Sequence, residues 1–255
     1  MTAPSPRHVN YDAIAHLYDA QPYRDKQPDP ALLDIHPSTA PKAILDMCCG
    51  TGNQLIANRP HLPGALMAGL DFSHGMLRQA RPKSRTIHWV QADSAHPPFA
   101  DNSFDYISHQ FAFHHILDKP RAAQAMFRLL RPGGRLVMTN LDPHTMQDWL
   151  YYRYFPAALT RDLQDFLPHA ALTALMRQTG FHPVSTDLSP IAYEEDLHHF
   201  HRTANQRDTC SQLLTLSDAD YQSGLQHLAQ DLRHAPAPHP VPTQITIVTL
   251  TAHKP

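Results

Sequence analysis

Three aspartates, Asp46, Asp71 and Asp93, each stand at the end of a short apolar or β-prone run that predicts a strand. They are separated by roughly twenty residues, which is the length of one strand–helix unit. Parallel strands of an open α/β sheet end at a common edge where ligands bind, so this spacing predicts a shared ligand site. The alternative interpretation is that Asp71 and Asp93 only cap the helices that follow them.

A turn of small residues follows the first aspartate, since residues 44–52 read Ile-Leu-Asp-Met-Cys-Cys-Gly-Thr-Gly. Gly50 and Gly52 have no side chains, so the backbone can approach a bound molecule closely. The carboxylate of Asp46 can hold a cationic group beside it. A dinucleotide-binding turn needs a third glycine beneath the pyrophosphate. This chain has Leu55 there, which argues against a nicotinamide-dependent oxidoreductase.

This turn resembles the first motif of the S-adenosylmethionine-dependent methyltransferases with a Rossmann-like fold, although Cys48 stands where that family normally has its first glycine. Two later segments are similar to family motifs and arrive in the family's order. Residues 98–105 resemble "PF-x-D-x-S-F-D" and residues 130–136 resemble "L-x-P-G-G-x-L". The resemblance covers residues 40–142 and is greatest to small-molecule enzymes such as those of quinone and menaquinone biosynthesis.

The resemblance implies a doubly wound α/β fold with a mostly parallel seven-stranded sheet and a helical lid insertion. It implies S-adenosylmethionine as cofactor and S-adenosylhomocysteine as product. The second-strand carboxylate would accept the ribose hydroxyls and the third-strand carboxylate the adenine amino group, while Phe72 and Met76 would cover the ring. The residues expected to bind the cofactor are Tyr18, Asp46, Cys48, Gly50, Gly52, Asp71, Phe72, Met76, Asp93, Ser94 and Gln110.

The segment at residues 11–19 has apolar and aromatic side chains at helical spacing. Family members often fold such a helix over the cofactor. The resemblance therefore implies that Tyr18 contacts the cofactor and that Arg24 pairs with its methionyl carboxylate. The alternative is an amphipathic helix that only packs on the sheet.

Methyl transfer is an in-line displacement, so an enzyme must align the nucleophile and exclude water. An acidic acceptor also needs a general base, for which His114 and His115 after the predicted fourth strand are the candidates. The alternative is that both pack at a helix start. Phe111, Phe113 and the aromatic residues of 149–155 are expected to wall a flat or lipophilic acceptor, unless they are ordinary core residues.

No metal site is expected. Residues 198–201 place two histidines three apart on a helix, but no cysteine or acid stands at ligand spacing. A magnesium-dependent catechol type would need carboxylates after the fourth strand, and residues 108–110 have none. The same position also lacks the "D/N-P-P-Y/F" motif of enzymes that methylate exocyclic amines of nucleic acid bases.

The 255-residue chain is 42% hydrophobic and carries a formal charge of −2. It has no basic stripe for nucleic acid and no apolar run of membrane-spanning length. Residues 1–7 lack the apolar core of a signal peptide, and three cysteines do not make a disulfide framework, so a cytoplasmic protein is expected. The expected partner is a small-molecule acceptor, and the expected assembly is a monomer or homodimer.

The predicted organisation is a single domain in three parts: an N-terminal helical cover at 1–39, a cofactor-binding core at 40–142, and a C-terminal part with the lid at 143–255. The later elements are predicted as a strand at 181–188, two or three helices at 193–233, a proline-rich linker at 235–242 and a last strand at 244–252.

The sequence therefore predicts an S-adenosylmethionine-dependent methyltransferase acting on a small aromatic or lipophilic acceptor. A protein that binds S-adenosylmethionine without methyl transfer stays open as an alternative, as does, less favoured, a nicotinamide-dependent oxidoreductase.

Overall fold

The computed structural model describes residues 9–21, 24–34, 42–146 and 148–255. Its helices are α1 (Tyr11–Tyr18), α2 (Pro30–Leu33), α3 (Asn53–Asn58), α4 (His74–Ala80), α5 (Lys119–Leu129), α6 (Leu150–Tyr154), α7 (Pro156–Asp165), α8 (His169–Thr179), α9 (Leu197–Ala204), α10 (Ser211–Leu214) and α11 (Asp218–Leu232). Its strands are β1 (Ala43–Met47), β2 (Leu66–Asp71), β3 (Ile87–Gln91), β4 (Phe104–Gln110), β5 (Leu130–Leu141), β6 (Val184–Asp196) and β7 (Pro240–His253).

The seven strands form one sheet in the order β3-β2-β1-β4-β5-β7-β6. Strands β1 to β5 pair in parallel. Strand β7 is antiparallel to β5, because Gly133 N donates to Lys254 O whereas Asp142 N donates to Thr246 O. The strand order reverses between β1 and β4, where doubly wound sheets form their ligand crevice. The predicted fold class is confirmed.

The central strand β1 reads Ala-Ile-Leu-Asp-Met and is buried at all five residues, as expected for a strand with two parallel neighbours. Ile44 packs in one cluster with Leu55 of α3 and Met67 of β2. Each fully buried aliphatic side chain of this kind contributes about 1.5–3 kcal/mol to folding. The turn that follows β1 is therefore attached to one of the most firmly packed parts of the sheet.

The chain divides into two compact units that interleave along the sequence. The sheet unit comprises Asn10–Asn140, Ala170–Asp187 and Thr249–Pro255, and the helical unit includes Leu141–His169 and Leu188–Val248. The helical unit has its own aromatic core, in which Tyr152, Phe155 and Phe200 are each at most 4% exposed. The division at 142/143 stays a prediction, and the one at 39/40 lies outside the described residues.

The sequence-based boundaries were wrong at two places. Strand β6 continues to Asp196, so residues 193–196, predicted as helix, are strand. Strand β7 begins at Pro240, inside the predicted linker. Both errors have one cause: β6 and β7 are neighbours in the sheet, and pairing between distant segments leaves no local sequence signal. The hydrogen bond from Leu197 N to His239 O lies just beyond the paired ends of the two strands. In the described part of the chain, no helix is long and apolar enough to cross a membrane.

Candidate active site

The glycine turn after β1 is held in shape by the aspartate at the end of β2. Gly50 N donates to Oδ2 of Asp71 at 2.7 Å, and Ser73 N donates to Oδ1 of the same carboxylate at 2.8 Å. Cys48 has φ 63°, Gly50 has φ 54° and Gly52 has φ 81°, so three positions of the turn adopt the left-handed conformation. Asp71 thus orders the turn with both of its carboxylate oxygens.

Helix capping does not account for Asp71 or Asp93. The cap of α4 is Ser73, whose Oγ accepts from Met76 N at 3.1 Å. Asp93 Oδ1 accepts from Ala95 N at 2.9 Å and closes a turn that no helix follows directly. Asp71 is the last residue of β2 and Asp93 lies two residues past β3, and these positions suit the ligand interpretation better than the capping one.

Gly52 has a packing role that the sequence did not reveal. It starts α3 with φ 81°, and a Cβ at this position would overlap the indole of Trp89 on β3. A Cβ at Gly69 on β2 would lie 2.7 Å from the same indole. The indole therefore requires both glycines, and Gly52 serves packing as well as the approach of a ligand.

Asp46 is the most deeply buried carboxylate of the turn, with 3% of its surface exposed. Burial raises the pKa of Asp46 to about 7. The hydrogen bond from Ser108 Oγ to Oδ1 at 2.8 Å and the positive charge of Lys26 act in the opposite direction and lower the pKa. Its neighbours Asp29 and Asp71 raise the pKa further. A carboxylate that is costly to ionise gains most when a ligand brings a positive charge.

Four other predicted cofactor residues are Ser94, Gln110, Phe72 and Met76. Ser94 is 4% exposed and shares a 3.0 Å hydrogen bond with the thiol of Cys48, so the third strand end closes against the turn. Gln110 ends β4, and its Oε1 accepts from Lys26 Nζ at 3.2 Å. Phe72 is 55% exposed, whereas Met76 is 2% exposed in the core. The geometry favours Phe72 over Met76 for the adenine face.

Helix α1 is attached to the site by two aspartates seven residues apart, which is two helical turns on one face. Asp12 Oδ1 accepts from Ser73 Oγ and Gly75 N, both at 2.6 Å. Asp19 Oδ1 accepts from Thr51 Oγ1 at 2.6 Å, and Oδ2 forms a 2.5 Å ion pair with Lys83. The helix is thereby fixed to the start of α4 at one end and to the glycine turn at the other.

This attachment places Tyr18 beside the glycine turn, because its Cε1 would lie 4.0 Å from a Cβ built at Gly50. The guanidinium of Arg24 stacks on the Tyr18 ring at 3.7 Å, and Arg24 Nε donates to Gln21 Oε1 at 2.9 Å. Lys26, which sequence reasoning missed, is the cation nearer to Asp46. Burial lowers the pKa of Lys26, Asp46 raises it, and Arg24 lowers it again.

A histidine cluster occupies the carboxyl end of β4. The hydroxyl of Tyr11 on α1 and Nε2 of His115 share a hydrogen bond of 2.7 Å. The rings of His114 and His115 are 3.9 Å apart, and Asn140 Nδ2 lies 3.4 Å from Nδ1 of His114. Burial lowers the pKa of His114 well below its usual range and that of His109, inside β4, to about 4. Both predicted catalytic histidines thus lie in one cluster.

The aromatic residues expected to wall the acceptor lie in two places. In the sheet unit, Phe111 has φ 50° and is 37% exposed, whereas Phe113 is 3% exposed. In the helical unit, the aromatic residues of 149–155 belong mainly to that unit's own core. Across the described residues, no group of three or more His, Cys, Asp or Glu is arranged to hold a metal ion.

Comparison with known proteins identifies the family. A methyltransferase domain model matches residues 44–134. A demethylmenaquinone methyltransferase of Thermus thermophilus is 36% identical over 115 residues, 44% of this chain and 52% of that protein. A 2-phytyl-1,4-naphtoquinone methyltransferase of Thermosynechococcus vestitus is 34% identical over 163 residues, 55% of this chain and 72% of that protein. This chain belongs to the S-adenosylmethionine-dependent methyltransferases.

The family's fold is seen in a solved phosphoethanolamine N-methyltransferase 2 of Haemonchus contortus, in complex with phosphomonomethylethanolamine and S-adenosylhomocysteine. Its TM-score to this methyltransferase is 0.59 at 18% identity, covering 96% of this chain and 57% of that one. The predictions of a Rossmann-like methyltransferase and of S-adenosylmethionine as cofactor are confirmed. The chain spans about half the length of the first relative.

Sequence reasoning missed four residues of the site: Tyr11, Asp12, Asp19 and Lys26. The repeated Tyr-Asp pair at 11–12 and 18–19 was a usable signal, since a spacing of seven places both pairs on one helical face. No local signal marks Lys26, because its role depends on contact with residues of β1 and β4 far along the chain.

Proposed function

We propose that this methyltransferase transfers the methyl group of S-adenosylmethionine to a small aromatic acceptor of the hydroquinone class. The observation that carries the proposal is the turn after β1, where Asp71 holds the Gly50 backbone and Asp46 is buried without a full counter-charge. A cationic ligand with a ribose suits both features. The names of the two relatives, a demethylmenaquinone methyltransferase and a 2-phytyl-1,4-naphtoquinone methyltransferase, support the choice of acceptor.

The cofactor residues divide by chemistry. Asp71 accepts the ribose hydroxyls, Asp93 the adenine amino group, and the exposed Phe72 ring covers the adenine face. Asp46 compensates the positive charge of the methionyl end. We assign the methionyl carboxylate to Lys26, because the Arg24 guanidinium already stacks on Tyr18 and is bonded to Gln21. Lys26 has Gln110 as its hydrogen-bond acceptor, a neutral group that a carboxylate can replace.

The cofactor supplies a methyl group already activated by its sulfonium, so the chain needs to position the acceptor and move one proton. His115 accepts the proton of an acceptor hydroxyl, and its bond to Tyr11 fixes the ring orientation. Loss of that proton raises electron density on the oxygen and on the ring carbons of a hydroquinone, either of which can attack the methyl carbon. His114 stays neutral beside it, because burial disfavours its charged form.

We propose that the protein works in the cytoplasm. The three cysteines are free thiols, which is consistent with a reducing cytoplasm. We propose a monomer or homodimer, and we expect no nucleic acid partner, since the formal net charge is −2.

The test uses the purified chain, labelled S-adenosylmethionine and a panel of reduced naphthoquinones and benzoquinones. Label in a hydroquinone that needs both the chain and the reduced ring supports the proposal. Binding of S-adenosylhomocysteine without transfer to any aromatic acceptor would contradict it and favour a cofactor-binding protein without methyl transfer. A thiol reagent on Cys48, blocked by S-adenosylhomocysteine, reports cofactor binding independently, because that thiol lies in the turn. Asp71→Ala serves as the binding-deficient control.

A further inference from the structure

A second polar cleft lies at the opposite edge of the sheet, at the amino end of β1. It has a volume of about 220 Å³ and is lined by Lys42, Asp105, Pro132, Gly133, Gly134, Arg135 and His253. All of these residues belong to the sheet unit. Strand β1 has five residues, so the cleft is about 16 Å along the strand from the cofactor turn. No step of the proposed methyl transfer uses it.

The charges that line this cleft are unbalanced. The one carboxylate, Asp105, is already neutralised, because its Oδ2 accepts from Arg131 at 2.8 Å and from Ala43 N at 2.7 Å. The ammonium of Lys42 has no hydrogen-bond or ion-pair partner among the residues that the structure describes. An excess of positive charge therefore remains inside a concave surface, the usual condition for binding an anion.

Arg135 and His253 add donors to that charge. Arg135 uses Nη1 for the carbonyl of Ala31 at 3.1 Å, and the carboxylate of Asp34 is 3.8 Å away and largely exposed. This leaves the other N–H groups of its guanidinium fork available. Burial and the nearby Arg135 lower the pKa of the His253 imidazole. An anion between the two side chains would reverse the second of these effects.

The backbone keeps the cleft open. Gly133 has φ 78°, and a Cβ added there would meet no atom within 4 Å. A side chain at this position would therefore occupy free space at the cleft, which a glycine leaves accessible to a ligand.

We propose that this cleft binds a phosphate-class oxyanion, held by Lys42 and Arg135, at the same time as the cofactor occupies the other edge of the sheet. The shared chemistry is a tetrahedral phosphate group with at least one negative charge, carried either by a soluble phosphate or by a lipid head group. The proposal is independent of the proposed methyl transfer, since no residue of the cleft belongs to the cofactor or histidine site.

The first test is a titration of the full chain with inorganic phosphate at constant ionic strength, followed by NMR of the histidine ring protons. His253→Gln identifies the His253 signal. We expect saturable shifts of that signal at millimolar phosphate and a higher pKa for His253. Lys42→Gln should weaken binding about tenfold, through loss of one charge-assisted bond. Arg121→Gln, which removes an exposed charge on α5, is the matched control and should change nothing.

A second variant pair covers the case in which Lys42→Gln disturbs the fold. Gly133→Asp places a negative charge in the cleft, and Gly133→Asn gives nearly the same shape without the charge. Phosphate binding should be lost in the first and kept in the second. Absence of any saturable shift of His253, or equal binding by both variants, would overturn the proposal.

Vesicles distinguish the two sources of the oxyanion. Cosedimentation with phosphatidylglycerol vesicles that Lys42→Gln weakens and Arg121→Gln does not would assign a lipid head group. Phosphate binding without such cosedimentation would assign a soluble phosphate. Throughout, S-adenosylhomocysteine affinity should be the same in wild type and Lys42→Gln, so a failed proposal here leaves the methyltransferase proposal untouched.

Discussion

The two ends of the site within the sheet unit carry different ionisable side chains. At the ends of β1 and β2 the protein places carboxylates, one of them buried at an energetic cost. At the end of β4 it places imidazoles and keeps two of them neutral by burial. The carboxylates can compensate the positive charge of a ligand, whereas the imidazoles can accept a proton.

Backbone support also differs between the two ends. Asp71 is bonded to two backbone N–H groups, so its position is set by the turn itself. His115 is oriented by a side chain, Tyr11, from a helix near the chain start. The carboxylate end is therefore expected to be rigid before any ligand binds, whereas the orientation of His115 depends on how α1 is attached through Asp12 and Asp19.

The largest expected effect concerns the proton-accepting end. His115→Ala should lower kcat by about 10²–10⁴-fold, the usual contribution of a general base, with cofactor affinity unchanged. Steady-state kinetics and calorimetry with S-adenosylhomocysteine check both halves. Tyr11→Phe should give a smaller loss, and the exposed His61→Ala should give none. Unchanged turnover in His115→Ala would mean that alignment alone suffices.

At the carboxylate end, Asp71→Ala should weaken cofactor binding by about 10–100-fold, because charge-assisted bonds to ribose and to Gly50 are both lost. Calorimetry measures the change, and the exposed Asp187→Ala is the matched control. If affinity stays the same, Asp71 orders the turn without touching the cofactor.

The pH dependence of cofactor binding tests the role of the buried carboxylate Asp46. Cofactor affinity should rise as pH increases through about 7, where Asp46 ionises, by up to about tenfold per pH unit. The stability of the ligand-free protein should change with pH in the opposite direction to cofactor affinity. The folded pKa of Asp46 is raised, so its contribution to stability is complete at low pH and is lost as pH rises through about 7. Asp46→Asn should flatten both profiles, measured by calorimetry and denaturant unfolding. If Asp46→Asn keeps the wild-type slope of either profile, that pH dependence arises from other groups.

The smallest effect is expected at His109. Its folded pKa is lowered to about 4, so its contribution to stability is complete above about 6.5 and is lost as pH falls toward 4. Its Nε2 is buried and unbonded among the described residues. His109→Leu should therefore raise the free energy of unfolding by about 1 kcal/mol at neutral pH and reduce the acid-side loss, as measured by denaturant titration. A destabilised variant would mean that the imidazole has a bonding role in the fold.

Much of the cofactor end could be read from the sequence because its signals are local. Strand β1, its glycine turn and the aspartate that ends β2 occupy short stretches whose order and spacing are diagnostic. The sequence also indicated part of the conformation of Cys48, because this residue stands where the family normally has a glycine. Its φ is 63°. Trp89 could not be read in this way, because the reason that Gly52 must be a glycine lies on another strand.

The sequence alone determined the alternation of strands and helices, the family motifs and the candidate carboxylates and histidines, since each depends on neighbours a few residues away. The tertiary structure decided which cations and hydroxyls meet them. Lys26 approaches Asp46, Tyr11 approaches His115 and Asp19 approaches Thr51 through contacts that span from 20 to 104 residues. Such pairs are fixed by how whole elements pack, and that information is distributed over the entire buried surface rather than written in any one segment.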